Sequence, residues 1–346
     1  MALNGTACIH IGEMSGVVEA RQRAMTICKA QGFDAALYGK VAIIVTELAT
    51  NIVKHAGVGE FLIRPCNEAE VSGIECLALD RGPGIKDIGR SLQDGYSTGA
   101  SPGSGFGAVR RLSSTFDLYS QPGTGTAVLA RIDKEPPAPG SHTQPPPYSS
   151  HVEIGVVCLP LVPDEPCGDG WDVIQLRDRT VILVVDGLGH GPEAAKVPLL
   201  AIRNFRENPA GSPAEILENL HDSLKGTRGG VVAVAAIDEG RGTITFTGAG
   251  NISGQIITGP AFQNLLSMYG TAGLEIRKFR EFSYPWEPGA LLILHSDGLT
   301  MHWDMKNYPG LARKHPALIA GVLYRDHTRG SDDVTVLAVK LVAVST

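Results

Sequence analysis

Basic residues are in deficit in this 346-residue sequence, with 30 lysines and arginines against 36 acids and a net charge of −6. That balance argues against a broad grip on nucleic acid or on an anionic membrane surface. No apolar run approaches the roughly eighteen residues a membrane-crossing helix needs. The opening MALNGTACIHIGEMSG also lacks a basic flank followed by an apolar core. A cytoplasmic protein that engages neither nucleic acid nor membrane is expected. Paired cysteines are missing as well: Cys8, Cys28, Cys66, Cys76, Cys158 and Cys167 form no Cys-x-x-Cys and have no histidine at metal-ligand spacing, so reduced structural thiols are expected. The absence of a Cys-x5-Arg loop removes cysteine-nucleophile hydrolysis.

What the chain does contain is globular: 43% hydrophobic and 19% charged residues, over a length that favours two cores. One segment stands apart. Residues 134–150, KEPPAPGSHTQPPPYSS, hold six prolines and almost nothing apolar, so they can neither continue a helix nor pair as a central strand. The expected organisation is a domain at 1–133, a Pro-rich linker at 134–150 and a second domain at 151–346. Both halves alternate helical and strand patterns without an internal repeat.

In the first half, YGKVAIIVTELATNIVKHA places Val41, Ile44, Val45, Leu48, Ile52 and Val53 at helical spacing. Glu47, Asn51 and His55 then share a face at i, i+4 and i+8. Alone, that face reads as a solvated polar stripe. GIECLALDRGPGI follows as a strand ending in Asp80 with a Gly-Pro-Gly turn, and SPGSGFGAVRRLSSTFDL supplies a glycine-rich loop that opens a helix. Glycines let backbone N–H groups approach an anion, and the helix start adds partial positive charge.

In this order the three segments resemble the GHKL ATP-binding fold, in its anti-sigma-factor serine-kinase branch, over roughly residues 6 to 133. The resemblance implies a Bergerat α/β sandwich that binds ATP with Mg²⁺. Asn51 would hold the Mg²⁺, Glu47 would take the proton from the attacking hydroxyl, and Asp80 would accept from the adenine amino group. Gly82 and Gly84 would shape that pocket, while Gly103, Gly105 and Gly107 would line the phosphates. For His55, a core or surface role is the expectation.

The second half carries acids at apolar strand ends: PCGDGWDVIQL with Asp169 and Asp172, TVILVVDGLGHGPEAA with Asp186, ALLILHSDGLT with Asp297, and RGSDDVTVLAVK with Asp332 and Asp333. Any one of them could be a turn former. Four sites converging on adjacent strands would repel one another unless a cation neutralised them, and a hard divalent ion with oxygen ligands is the simple solution. The order G-D-x-W, D-G-x-G-H-G, S-D-G, S-D-D-V-T resembles the SpoIIE-type metal-dependent serine/threonine phosphatases of the PPM superfamily, over roughly 151 to 342. Implied are an α-β-β-α sandwich and two Mn²⁺ or Mg²⁺ ions. Asp186 would bridge the ions and be central to catalysis, Gly187 would add its carbonyl, Asp169 would serve one ion, and Asp297 and Asp332 the other. Asp172 and Asp333 read as supporting or surface residues. His190 stays open between a structural and an acid role.

The overall expectation is an α+β chain that joins a protein serine kinase to a metal-dependent phosphoserine/phosphothreonine phosphatase. Both resembled families act on STAS-domain switch proteins, so the implied partner is such a protein, with a sigma-factor regulatory complex behind it. The alternative is an ATP-bound module that sequesters a partner beside a single active phosphatase; Glu47 favours the enzymatic reading, because a binding site needs no base.

Overall fold

The structure is a computed structural model. It describes residues 5–68, 71–92, 105–134 and 152–341. Gly103 and nearly all of the Pro-rich segment lie outside the described residues. Internal contacts divide the chain into two units, one of residues 3–145 with 313–325 and one of residues 146–312 with 326–346.

The first unit is built on an antiparallel sheet in the order β1-β2-β3-β5-β4, formed by β1 (Ala7–Ile11), β2 (Gly59–Glu68), β3 (Val71–Asp80), β4 (Thr115–Gln121) and β5 (Gly125–Asp133). Helices α1 (Met14–Ala30), α2 (Ala35–Asn51) and α4 (Gly105–Leu112) accompany it, with a single turn, α3 (Ile88–Ser91), between β3 and α4. Val17, Ala20, Ala24 and Cys28 recur every three or four residues along α1 and are buried, as one face of a helix must be to lie on a sheet. Asp34 caps α2 by accepting from Leu37 N at 2.8 Å. Val41, Ile44, Val45, Leu48 and Ala49 of α2 are buried in the same core as Phe61, Ile63, Ile74, Cys76, Val128 and Ala130 of the sheet.

After Asn51 the helix widens into a π-helical turn over Ile52–Ala56, closed by Gly57 N donating to Ile52 O and by a positive φ at Gly57. Taken together, Ala35–Ala56 is long and apolar enough to cross a membrane by length and composition, contrary to the expectation that no such run exists. Its apolar face is spent on the core of its own unit. Residues 313–325, expected in the second domain, group with this first unit: Asp117 accepts from Lys314 Nζ at 2.9 Å and from His315 N at 2.8 Å.

The second unit holds two five-stranded sheets. One runs β15-β10-β9-β8-β7, from β7 (Asp169–Gln175), β8 (Thr180–Gly187), β9 (Gly230–Asp238), β10 (Thr243–Ala249) and β15 (Phe282–Pro285). The other runs β12-β11-β16-β17-β6, from β6 (Val152–Leu159), β11 (Ser253–Thr258), β12 (Ala261–Asn264), β16 (Leu291–His295) and β17 (Val334–Leu341). A small hairpin pairs β13 (Gly270–Thr271) with β14 (Glu275–Ile276). Helices α5 (Lys196–Glu207) and α6 (Pro213–Ser223) follow β8, whereas α7 (Pro316–His327), which precedes β17 in the chain, groups through residue 325 with the first unit. The run TVILVV is continuously apolar because β8 is covered on both faces. Ile182 and Val184 join a core with residues of both sheets, while Val181, Leu183 and Val185 pack with Val197, Ala201, Phe205, Ile216 and Leu220 of α5 and α6. A Ser212/Glu215 capping box with Pro213 behind it starts α6. Two sheets sharing a core, with α5 and α6 packed outside one of them, agree with the PPM-type α-β-β-α sandwich expected for this half.

Candidate functional site

The two sheets each deliver two acids. Asp169 opens β7 and Asp186 closes β8, directly opposite one another in the antiparallel register. Asp297 follows β16 and Asp332 precedes β17, neighbouring strands of the other sheet. The turn after Asp186 needs its glycines: a Cβ on Gly187 would come 2.5 Å from Ala194 O, and Gly189 and Gly191 have φ of +82° and +79°.

Three of the four carboxylates are held in place. Ser296 Oγ donates to Asp169 Oδ2 at 2.6 Å, Asn251 Nδ2 donates to Asp297 Oδ2 at 2.9 Å, and Asp333 N donates to Asp332 Oδ1 at 2.9 Å. Asp186 accepts no side-chain hydrogen bond among the described residues. Burial, followed by the charges of Asp169, Asp297, Asp332 and Asp333, pushes its carboxyl up to about 9. Burial likewise lifts Asp169 to about 7 against the hydrogen bond from Ser296, and raises Asp332. Exposed His190 lies close enough for its charge to favour the Asp332 carboxylate.

Among the described residues no three His, Cys, Asp or Glu side chains form a finished ligand cage. The donor chemistry nonetheless fits a hard divalent cation. All the groups are oxygens, and the least hydrogen-bonded of them is the one that needs a positive charge to ionise near neutrality.

Asp172 and Asp333 have other work, and neither is at the surface. Asp172 is buried and bound through both oxygens by Arg206, at 2.7 and 3.1 Å. Asp333 is 3% exposed and accepts from Leu161 N at 2.6 Å and Gly168 N at 2.7 Å, fixing the approach to Asp169. Ser296 and Asn251 escaped the sequence reading. Ser296 stands beside Asp297 in the S-D-G motif, where a hydroxyl offers no signal of its own; only the pairing of the sheets aims it at Asp169.

In the first unit Asp80 ends β3, half-buried, with Oδ1 accepting from Gly82 N at 2.8 Å and Thr126 N at 3.1 Å. Burial raises its carboxyl, while those two N–H groups, Arg325 and His55 favour the charged form. Arg325 also donates to the Asp80 carbonyl at 2.9 Å. Gly82 has no room for a side chain, since a Cβ would meet Ala56 Cβ at 2.7 Å, and Gly84 combines φ +69° with a Cβ position 2.3 Å from Gln121 O. These glycines press the turn against the π-helical turn and the β4–β5 hairpin. Glu47 and Asn51 sit half-buried in α2, one turn apart. His55 lies in the widened turn and is exposed, so the i+8 line from Glu47 does not continue regularly to it. Gly105, with φ +27°, starts α4, and Gly107 is buried in it.

Known families account for both halves. The model of the histidine kinase-like ATPase domain matches residues 13–132, and that of Stage II sporulation protein E (SpoIIE) matches residues 177–342. The chain carries a GHKL-type kinase domain of the family to which its relative below belongs, followed by a domain similar to the SpoIIE-type serine/threonine phosphatases. Serine/threonine-protein kinase RsbT of Bacillus subtilis (strain 168) is 34% identical over 128 residues, which is 37% of this chain and 96% of that protein. Phosphoserine phosphatase RsbX of the same organism is 26% identical over 156 residues, 44% of this chain and 77% of that protein. A solved structure from work on the bacterial stressosome, a modular system adapted to control secondary messenger signalling, superposes with a TM-score of 0.51 at 26% identity. It covers 55% of this chain and 99% of its own. The SpoIIE match begins after Asp169, so that residue's membership of the acid cluster rests on its register with Asp186.

Proposed function

We propose that the chain sets the phosphorylation state of a STAS-domain switch protein by opposing activities. The first domain transfers the γ-phosphoryl group of Mg-ATP to a serine or threonine hydroxyl. The second hydrolyses the resulting phosphoester. In transfer, Glu47 accepts the hydroxyl proton, Asn51 supplies an oxygen to Mg²⁺, Asp80 accepts from the adenine amino group, and Gly103, Gly105 and Gly107 admit the phosphates. In hydrolysis, Asp169, Asp186, Asp297, Asp332 and the Gly187 carbonyl would hold two Mn²⁺ or Mg²⁺ ions. When bound, such ions supply Lewis acidity and offset the charge of the phosphoryl group.

The observation that carries this reading is the meeting of four strand-end acids: Asp169 and Asp186 face one another in the β7–β8 register, and Asp297 and Asp332 lie close enough for their charges to act on Asp186. Relatedness to a kinase and to a phosphoserine phosphatase, and the likeness to a stressosome structure, support the choice of partner. The test is hydrolysis of an aryl phosphate by the full chain with Mn²⁺, with EDTA, and after Asp186→Asn. Turnover only in the wild type with metal is expected; turnover in EDTA would refute the phosphatase half.

A further inference from the structure

One cation leans over the turn that follows Asp186. Arg228 lies in the loop between α6 and β9, and that loop is well anchored. Thr227 Oγ1 donates to Leu224 O at 2.6 Å, Gly229 N donates to Thr227 Oγ1 at 3.0 Å, and Leu188 N, two residues past Asp186, donates to Gly229 O at 3.1 Å. The side chain leans over the same turn: a Cβ built on Gly189 would lie only 3.3 Å from Arg228 Nη1.

Held this close, the guanidinium is still exposed and makes no hydrogen bond or ion pair among the described residues. Glu193, whose carboxyl feels the charge of Arg228, is engaged by Lys196 Nζ at 2.6 Å. Arg228 also lines a cleft of about 640 Å³ together with Glu193, Lys196, Leu199, Leu200 and Thr227. Leu199 and Leu200 are 51% and 40% exposed there.

A group of carboxylates repels the phosphate dianion it has to process. A guanidinium on the rim corrects this locally, and its planar fork of donors matches two phosphate oxygens. We propose that Arg228 binds the phosphoryl group of the phosphoprotein substrate. This rests on the phosphatase reading above. During hydrolysis the P–O bond to the serine oxygen breaks as a P–O bond to water forms, and the serine oxygen leaves with a proton from that water. The non-bridging oxygens stay on phosphorus throughout, so Arg228 holds substrate and product alike.

The test uses the full chain, an aryl phosphate, a fixed Mn²⁺ concentration and inorganic phosphate as inhibitor. Arg228→Ala is expected to raise both KM and the inhibition constant for phosphate by about 10- to 100-fold, the worth of a charge-assisted hydrogen-bonded pair. The Mn²⁺ concentration for half-maximal activity and the melting temperature stay at wild-type values, and Arg228→Lys recovers part of the loss. Unchanged KM and phosphate inhibition in an active Arg228→Ala protein overturns the inference alone, as does a loss confined to kcat. Absence of metal-dependent hydrolysis in the wild type instead removes the phosphatase reading, and the inference falls with it.

Discussion

Replacing Asp186 by asparagine should stabilise the metal-free protein while abolishing phosphatase activity. The ordinary carboxyl value of 3.8 is pushed up to about 9 in the fold. At pH 7 the unfolded chain carries this group ionised, and folding must either protonate it or bury its charge. From 3.8 to 7 is about three units, each worth about 1.4 kcal/mol, for a ceiling of about 4 kcal/mol. Relaxation and sharing of charge among the acids bring the expected gain on substitution to about 1–3 kcal/mol, or about 3–10 °C for a domain of this size. The sign follows from the direction of the shift. A carboxyl raised by folding holds its proton more tightly in the native state, so its contribution is most favourable below about pH 4. It is then lost as pH climbs towards 9. Thermal melts in EDTA at a series of pH values check this: the variant should melt above the wild type, and the gap should widen from pH 5 to pH 8. Added Mn²⁺ should raise the wild-type melting temperature and leave the variant nearly unmoved. A variant that melts at or below the wild type in EDTA across that range would refute the repulsion argument.

The first domain gives two further expectations, one of nucleotide binding and one of stability. Asp80→Asn keeps the size but turns one acceptor oxygen into a donor; calorimetry with Mg-ADP on the full chain should show at least about a tenfold loss of affinity. Gly84→Ala forces a Cβ to within 2.3 Å of Gln121 O at a φ of +69°, and should cost about 2–4 kcal/mol of stability by denaturant titration of the first unit's transition.

Much of this was legible in the sequence because strand ends and turns write themselves locally. The run TVILVV before Asp186 alternates too little for a half-exposed strand and is too short to span a membrane, and the glycines after it read as a turn. The Asp169–Asp186 register comes from the pairing of β7 with β8 in the structure. What escaped the sequence depends on long-range placement. The π-helical turn at Ile52–Ala56 continues a helical pattern without interruption, so periodicity cannot reveal it, yet it is what Gly82 packs against. Asp333 and Asp332 are adjacent in sequence and opposite in role, because the chain turns one carboxylate inward to backbone N–H groups and leaves the other beside Asp297. The grouping of residues 313–325 with the first unit has no sequence signal either, since α7 reads as an ordinary apolar helix.

The central claim is that two opposed activities meet on one hydroxyl. Its most direct test is mass spectrometry of a purified STAS-domain partner after incubation with ATP, Mn²⁺ and the full chain as wild type, Glu47→Ala or Asp186→Asn. The wild type should give partial phosphorylation at one site, and Asp186→Asn should drive that site towards full occupancy. Glu47→Ala should leave the site unphosphorylated while still stripping a pre-phosphorylated sample. Changes at different sites in the two variants, or no change in occupancy on loss of Asp186, would contradict the account.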